Sequence, residues 1–184
     1  MALPRLHLSL ESDASLLADF YCGQAEMDEF IHTRLNAFLT AYNCRFYVVR
    51  DERETIVAML VLSSGQLFLD EDCKDDLRLK FPDIEVNERL KPYWEAGVFP
   101  SIEIDYLAVQ QEYRGRHIGS TLMQFIESFK SDVYYNNPLF LSVDAYVTSN
   151  YTAVPFYNKC RFFASELKNP FSDTLRMYRT IVYL

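Results

Sequence analysis

The stretch YRGRHIGSTLM, residues 113–123, decides the fold of this chain. It joins SIEIDYLAV, 101–109, which alternates like a strand, to IGSTLMQFIESF, 118–129, whose apolar residues recur at helical spacing. The first backbone N–H groups of a helix lack partners, and the peptide dipoles add about half a positive charge there. A turn that carries glycine and arginine at this point therefore predicts an anion site suited to phosphate.

Side chains of the turn strengthen that prediction. Arg114 and Arg116 can each add charge-assisted hydrogen bonds worth roughly 1.5–3 kcal/mol, and Ser120 supplies a hydroxyl in the first helical turn. Neither GxxxxGK[ST] nor GxGxxG is present, which excludes a Walker phosphate loop and the usual dinucleotide fingerprint. The stretch thus predicts a pyrophosphate cradle of another kind.

Composition sets limits on the class of protein. With 184 residues and 49% hydrophobic residues, the chain is expected to form one domain, 1–184, with a true core. The net charge of −8 disfavours general nucleic-acid binding and mildly favours cationic substrates. Four widely spaced cysteines form no CxxC pair, so we expect free thiols and no metal site. No leader peptide or membrane-spanning run is recognisable, and we expect a cytoplasmic protein that binds no membrane.

The order of predicted elements indicates an α/β domain with strands of mixed direction. Strands are predicted at 5–10, 45–50, 54–64, 101–109, 139–147, 160–163 and 174–184. Helices are predicted at 26–42, 118–129 and 150–159, together with a short one capped by Asp13 that runs to Phe20. Residues 66–96 carry nine acidic and five basic residues, a net charge of −4. They are interpreted as a charged insertion with one or two short helices, either a solvated excursion or a flap that faces substrate.

Two motifs resemble those of the GNAT superfamily of N-acetyltransferases. LAVQQEYRGRHIGSTLM resembles its acetyl-CoA binding motif, strand then Arg/Gln-x-x-Gly-x-Gly/Ala then helix, with Arg114, His117 and Gly119 at the marked positions. His117 replaces a glycine there. NYTAVPFYNKCRFF resembles Asn-x-x-Ala-x-x-Phe-Tyr-x-x-x-Gly-Phe, with the usual glycine replaced before Phe162. The resemblance implies a mostly antiparallel, twisted sheet of six or seven strands, flanked by helices and splayed at its centre.

The same resemblance implies acetyl-CoA as cosubstrate and assigns the residues that hold it. The pantetheine arm would lie along β-strand residues, with Val109 offering its N–H, and the pyrophosphate would lie on the turn. The implied cofactor-binding residues are Leu107, Ala108, Val109, Arg114, Gly115, Arg116, His117, Ile118, Gly119, Ser120 and Asn150.

Catalytic roles are also implied by the resemblance. Tyr157 matches the family tyrosine that gives a proton or a hydrogen bond to the departing thiolate, and a phenol suits that task. Glu103 stands where some members carry a basic glutamate, and Asp105 lies two residues on, on the same strand face. Glu103 is the preferred base, while Asp105 or a water stays open.

The acceptor is the least determined part of the reaction. The run from Cys22 through Gly23, Met27 and Asp28 to Phe30 is similar to the opening of toxin-type acetyltransferases, which act on aminoacyl-tRNA. The same run is also explained as an ordinary helix start. We expect a primary amine of a small molecule or peptide; a tRNA substrate, a non-catalytic acyl-CoA-binding module and a homodimer remain alternatives.

Overall fold

The order of the strands in the sheet depends on pairings that the sequence alone does not reveal. In a computed structural model of the protein, residues 5–80, 88, 90–128, 138–165 and 173–181 are described. The strands are β1 His7–Glu11, β2 Cys44–Arg50, β3 Ile56–Phe68, β4 Val98–Val109, β5 Phe140–Tyr146, β6 Phe163–Ala164 and β7 Thr174–Thr180. They form a seven-stranded sheet in the order β1-β2-β3-β4-β5-β7-β6, which confirms the predicted fold class.

Six α-helices flank these strands in the described part of the chain. They are α1 Ala25–Thr33, α2 Leu35–Ala41, α3 Glu71–Lys80, α4 Lys91–Ala96, α5 Ile118–Ser128 and α6 Val154–Lys159. A 3-10 turn, Ala14–Leu17, precedes α1, and Asp13 caps it as predicted by accepting from the Ser15 N–H. No helix among the described residues is both long enough and apolar enough to cross a bilayer.

The chain divides into two compact units, and β3 and β4 each contribute to both. The first unit comprises Met1–Ser63 and Ile104–Ile126, and the second comprises Ser64–Glu103 and Glu127–Leu184. In the first unit β1 pairs with β2 and β2 with β3, all antiparallel. In the second unit β7 pairs antiparallel with both β5 and β6.

Each unit has its own core. In the first unit, one buried cluster joins α1 and α2 to one side of the strands, and it includes Ile31, Leu35, Phe46 and Met59. A second cluster places Ile118 and Leu122 of α5 against Val49 and Val57. The core of the second unit is separate and rich in aromatic rings.

Residues 66–96 are not merely a solvated excursion, because part of the segment is buried in the core of the second unit. Residues up to Phe68 complete β3, and the short helices are present as α3 and α4. Their buried side chains Cys73, Leu77 and Trp94 pack in the core of the second unit. Acidic residues of α3 such as Asp72, Asp75 and Asp76 are exposed, so the composition of the segment hid an apolar face. Positions 81–87 and 89 lie outside the described residues.

Several predicted boundaries are wrong. The single helix predicted over 26–42 is two helices that meet at Arg34, where the Thr33 hydroxyl donates to the Glu29 carbonyl, a bond that bends helices. The strand predicted at 160–163 is a turn followed by the short β6. Helix α6 begins at Val154 rather than 150, because residues 148–151 form a hydrogen-bonded turn. The predicted ends at 129 and 182–184 lie outside the described residues.

Candidate active site

The turn between β4 and α5 has two residues in the left-handed backbone region. Gly115 has a φ of 76° and His117 a φ of 62°, and α5 begins at the next residue, Ile118. A Cβ added to Gly115 would meet nothing within 4 Å, so its φ alone accounts for glycine there. Arg114, Arg116 and His117 are all exposed. The turn therefore opens to solvent at the amino end of a helix of 11 residues.

The first turn of α5 is anchored on one carbonyl group. The His117 carbonyl accepts from the Thr121 N–H at 3.0 Å, from the Ser120 hydroxyl at 2.8 Å and from the Thr121 hydroxyl at 3.0 Å. The Ile118 side chain is 2% exposed and serves the core, so only its backbone N–H is available at the helix start. Gly119 and Ser120 are partly buried and follow it directly.

An aromatic ring positions one arginine of the turn. The Arg116 guanidinium carbon lies 4.8 Å from the centroid of the Tyr113 ring, in a cation–π arrangement. The Tyr113 hydroxyl donates to Oδ2 of Asp51 at 2.9 Å, and this hydrogen bond raises the pKa of Tyr113. The Tyr113 phenol thus remains a donor. Through Asp51, the hairpin between β2 and β3 holds the Tyr113 ring on which Arg116 lies.

Strand β4 presents its last residues to opposite faces, as its alternation predicts. Ala108 is 4% exposed and lies in the cluster formed with α1 and α2. Leu107 and Val109 pack against the α5 cluster and remain partly buried. Oδ1 of Asp105 accepts from the Ser63 hydroxyl at 3.1 Å, also within the first unit.

A network of polar side chains in the second unit holds Glu103. Arg176 of β7 binds both carboxylate oxygens, with Nη2 2.7 Å from Oε2 and Nη1 in contact with Oε1. The Ser142 hydroxyl donates to Oε2 at 3.1 Å, and Nη1 of Arg176 also lies 3.3 Å from Oδ2 of Asp144. A Cβ on Gly65 would lie 2.9 Å from Oε2 of Glu103, so glycine in β3 leaves room for the carboxylate.

Tyr157 is buried in an aromatic setting on α6. It is 5% exposed, and its ring makes edge contacts with Phe156 at 5.0 Å and with Phe162 at 5.2 Å between centroids. Burial is the main cause that raises the pKa of Tyr157, so the phenol keeps its proton. Asn150 is exposed in the turn that precedes α6. Glu103, Asn150 and Tyr157 thus belong to the second unit, and the turn with its arginines belongs to the first.

Comparison with known proteins identifies the family. The family model described as "Acetyltransferase (GNAT) family" matches residues 14–162, most of the chain. The chain belongs to the GNAT acetyltransferase family. No curated protein matches it by sequence.

Solved structures of similar fold include several toxins. A structure titled as a bacterial toxin has a TM-score of 0.67 at 16% identity and covers 97% of this chain and 92% of its own. AtaT complexed with acetyl-methionyl-tRNAfMet gives 0.61 at 19%, with 94% of each chain covered. AtaTR bound with acetyl-CoA gives 0.60 at 18%, with 96% of this chain and 93% of the other covered. At these identities the likeness concerns the fold.

Two residues that replace glycines of the GNAT family pattern keep the backbone conformation that favours glycine. The family pattern has glycine at the positions of His117 and Arg161, and both residues have left-handed backbones here, with φ of 62° and 65°. The local conformation is therefore kept although its usual residue is absent. Both departures from the pattern are visible in the sequence, but the sequence gives no indication that the left-handed backbone is kept at these positions.

Other residues of the site left little trace in the sequence. Arg176 was not singled out, because only the register of β7 against β5 brings it near Glu103. Gly65 gave a weak signal, since an isolated glycine in a strand often marks a close approach. Asp51 and Tyr113 are 62 residues apart and carried no signal at all.

Proposed function

We propose that this GNAT-family protein is an N-acetyltransferase, one domain over 1–184, that moves an acetyl group from acetyl-CoA to a primary amine of a small molecule or peptide. The observation that carries the proposal is the exposed, left-handed turn at the start of α5 with its two arginines. Free N–H groups and cationic side chains at one point suit a diphosphate.

The cofactor is assigned to residues in both motifs. Leu107, Ala108 and Val109 would line the pantetheine arm, and the Val109 N–H would bind the arm or the thioester oxygen, where it stabilises developing negative charge. Residues 114–120 would hold the diphosphate, with Arg116 stabilised by the Tyr113 ring. Asn150, exposed in its turn, would contact the arm. Bound acetyl-CoA supplies the activated acetyl group.

Glu103 is proposed to take the proton of the acceptor amine through a water. A typical aliphatic amine of pKa near 10.4 is mostly protonated at pH 7, and its deprotonation costs roughly 4–5 kcal/mol. A carboxylate has about four lone-pair positions, and Arg176 and Ser142 occupy three of those on Glu103. Among the described residues the fourth position, on Oε1, has no donor, and it can accept from one water or amine. Asp105, which already accepts from Ser63, is the alternative base.

Tyr157 is proposed as the acid that protonates the departing thiolate. Its raised pKa, caused mainly by burial, keeps the phenol protonated over the whole physiological range. Replacement by phenylalanine retains the edge contacts with Phe156 and Phe162 and removes only the hydroxyl. Turnover of Tyr157→Phe is expected to fall at least about tenfold, as is typical when an acid is lost, while acetyl-CoA binding stays unchanged. Unchanged turnover would exclude Tyr157 from the mechanism.

The acceptor is proposed to be a cationic amine rather than a nucleic acid. Glu103, Asp144 and Arg176 together carry one net negative charge, and the whole chain carries −8. Both favour an ammonium group over phosphate. The second candidate, aminoacyl-tRNA, is favoured by the similarity of fold to AtaT over 94% of the chain and by the run that starts at Cys22.

One experiment separates these possibilities. Calorimetry with acetyl-CoA tests binding first, with the variant Arg114→Ala/Arg116→Ala as the expected non-binder. Release of free CoA is then followed with a panel of small amines, amino-terminal peptides and aminoacyl-tRNA. Acetylation of an amine or peptide supports the proposal, and acetylation of tRNA alone would replace it with the second candidate. Binding of acetyl-CoA without release of CoA in the presence of any acceptor would indicate a non-catalytic acyl-CoA-binding module.

A further inference from the structure

The loop Tyr21–Gly23 is hydrogen-bonded to Gln110 and Gln111, the residues that precede the turn 114–120 proposed to hold the diphosphate. The Gln111 N–H donates to the Tyr21 carbonyl at 2.9 Å, and the Tyr21 N–H donates to Oε1 of Gln110 at 3.0 Å. The Gln110 N–H is itself bound to the Val57 carbonyl at 2.9 Å. Gln110 and Gln111, which lead into the turn, are therefore held by Tyr21 and by Val57 of β3, all within the first unit.

One carboxylate holds that loop in place. Asp28, in the first turn of α1, accepts from the Cys22 N–H at 2.7 Å through Oδ1 and from the Gly23 N–H at 3.0 Å through Oδ2. Both oxygens are used, and each bond is assisted by the negative charge. The loop from Tyr21 to Gly23 thus cannot move without breaking two charge-assisted bonds.

The other residues of the run fit the same task. Gly23 has a φ of 77°, and a Cβ there would lie 2.8 Å from the end of the Gln111 side chain, so glycine allows the close approach. Cys22 is 3% exposed, and burial raises the pKa of its thiol to about 11. It is a protonated packing group and no nucleophile at neutral pH.

We infer that Asp28 is a positioning residue for the acyl donor: by holding Tyr21–Gly23 it fixes Gln110 and Gln111, and through them the turn 114–120. This inference rests on the proposed function and deepens it. It gives the run that begins at Cys22 a role in cofactor binding, so this run alone does not decide between the two acceptors.

The test uses donors with and without the diphosphate. Asp28→Ala is expected to weaken acetyl-CoA binding by about tenfold, the scale of one lost charge-assisted hydrogen bond, and to leave the KM for S-acetyl-pantetheine unchanged. Asp28→Asn keeps one acceptor oxygen and is expected to show a smaller loss. Asp13→Ala is the matched control, because Asp13 also accepts a backbone N–H at a helix start, from Ser15, and has no contact with Gln110 or Gln111 among the described residues.

The outcomes distinguish the two proposals. If the wild-type protein does not bind acetyl-CoA, the proposed function fails. If the wild type binds and folded Asp28→Ala binds equally well, or if the variant loses both donors alike, the positioning role is refuted. Should the Asp28 variants not fold, Gln110→Ala removes the hydrogen bond between the Tyr21 N–H and the Gln110 side chain without disturbing Asp28. The same selective loss of acetyl-CoA is expected from it, and equal binding would refute the inference.

Discussion

Replacing His117 and Arg161, two of the three non-glycine residues described with left-handed backbones, by glycine is expected to stabilise the protein. His117 and Arg161 have φ of 62° and 65°, and both side chains are exposed. The backbone bonds around them involve main-chain atoms, such as the Thr121 N–H with the His117 carbonyl and the Arg161 N–H with the Asn158 carbonyl. Glycine preserves these bonds and removes only the Cβ that strains the backbone.

The magnitude follows from two opposing terms. A left-handed conformation costs an L-residue roughly 1–2 kcal/mol because of the Cβ. Glycine itself costs roughly 0.5–1 kcal/mol of stability, because it makes the unfolded chain more flexible and so raises the entropy lost on folding. The net gain in the free energy of unfolding is about 0.5–1 kcal/mol at each site. For a chain of this size, each kcal/mol raises Tm by about 2–4 °C. Histidine enters this region more readily than arginine does, so Arg161→Gly should gain more than His117→Gly.

Thermal and urea unfolding measure the effect, with alanine variants as controls. His117→Ala and Arg161→Ala remove the same side chains but keep the Cβ, so they are expected to gain nothing. The two sites share no hydrogen-bond partner in the described chain, and the double glycine variant should show the sum of both gains. Equal stability of the glycine and alanine variants would refute the assignment of strain.

Three further predictions concern other parts of the molecule. Gly65→Ala places a methyl group 2.9 Å from Oε2 of Glu103; turnover should fall with acetyl-CoA binding intact, and unchanged kinetics would argue against Glu103. Trp94→Ala should lower the free energy of unfolding by ~3–5 kcal/mol, because Trp94 is buried in the second core, whereas Trp94→Phe should cost much less; equal losses would contradict the packing. The pKa of Cys22 is raised from 9.0 to about 11, so the unfolded chain loses this proton first as pH rises, and stability should fall between pH 9 and 11. Cys22→Ala should flatten that part of a pH–stability curve, and an unaltered slope would exclude the thiol.

Local features of the chain were predicted well because their causes lie within a few residues. The alternation of 101–109 and the helical spacing after Ile118 gave β4 and α5, and Asp13 gave the cap of the first short helix. The bend at Arg34 was missed because periodicity continues through it, and only the backbone shows that the helix stops.

The sequence by itself therefore determined the family motifs, the order of most elements and the place of the arginine-bearing turn before α5, since propensity, periodicity and helix-end chemistry act locally. The tertiary structure alone decided which distant groups meet. Arg176 reaches Glu103 across 73 residues, and Tyr21 reaches Gln110 across 89. It also decided that the charged segment 66–96 contributes Trp94 and Leu77 to a core. Such contacts depend on strand register and on the face each helix turns inward, which are fixed only when the whole chain packs.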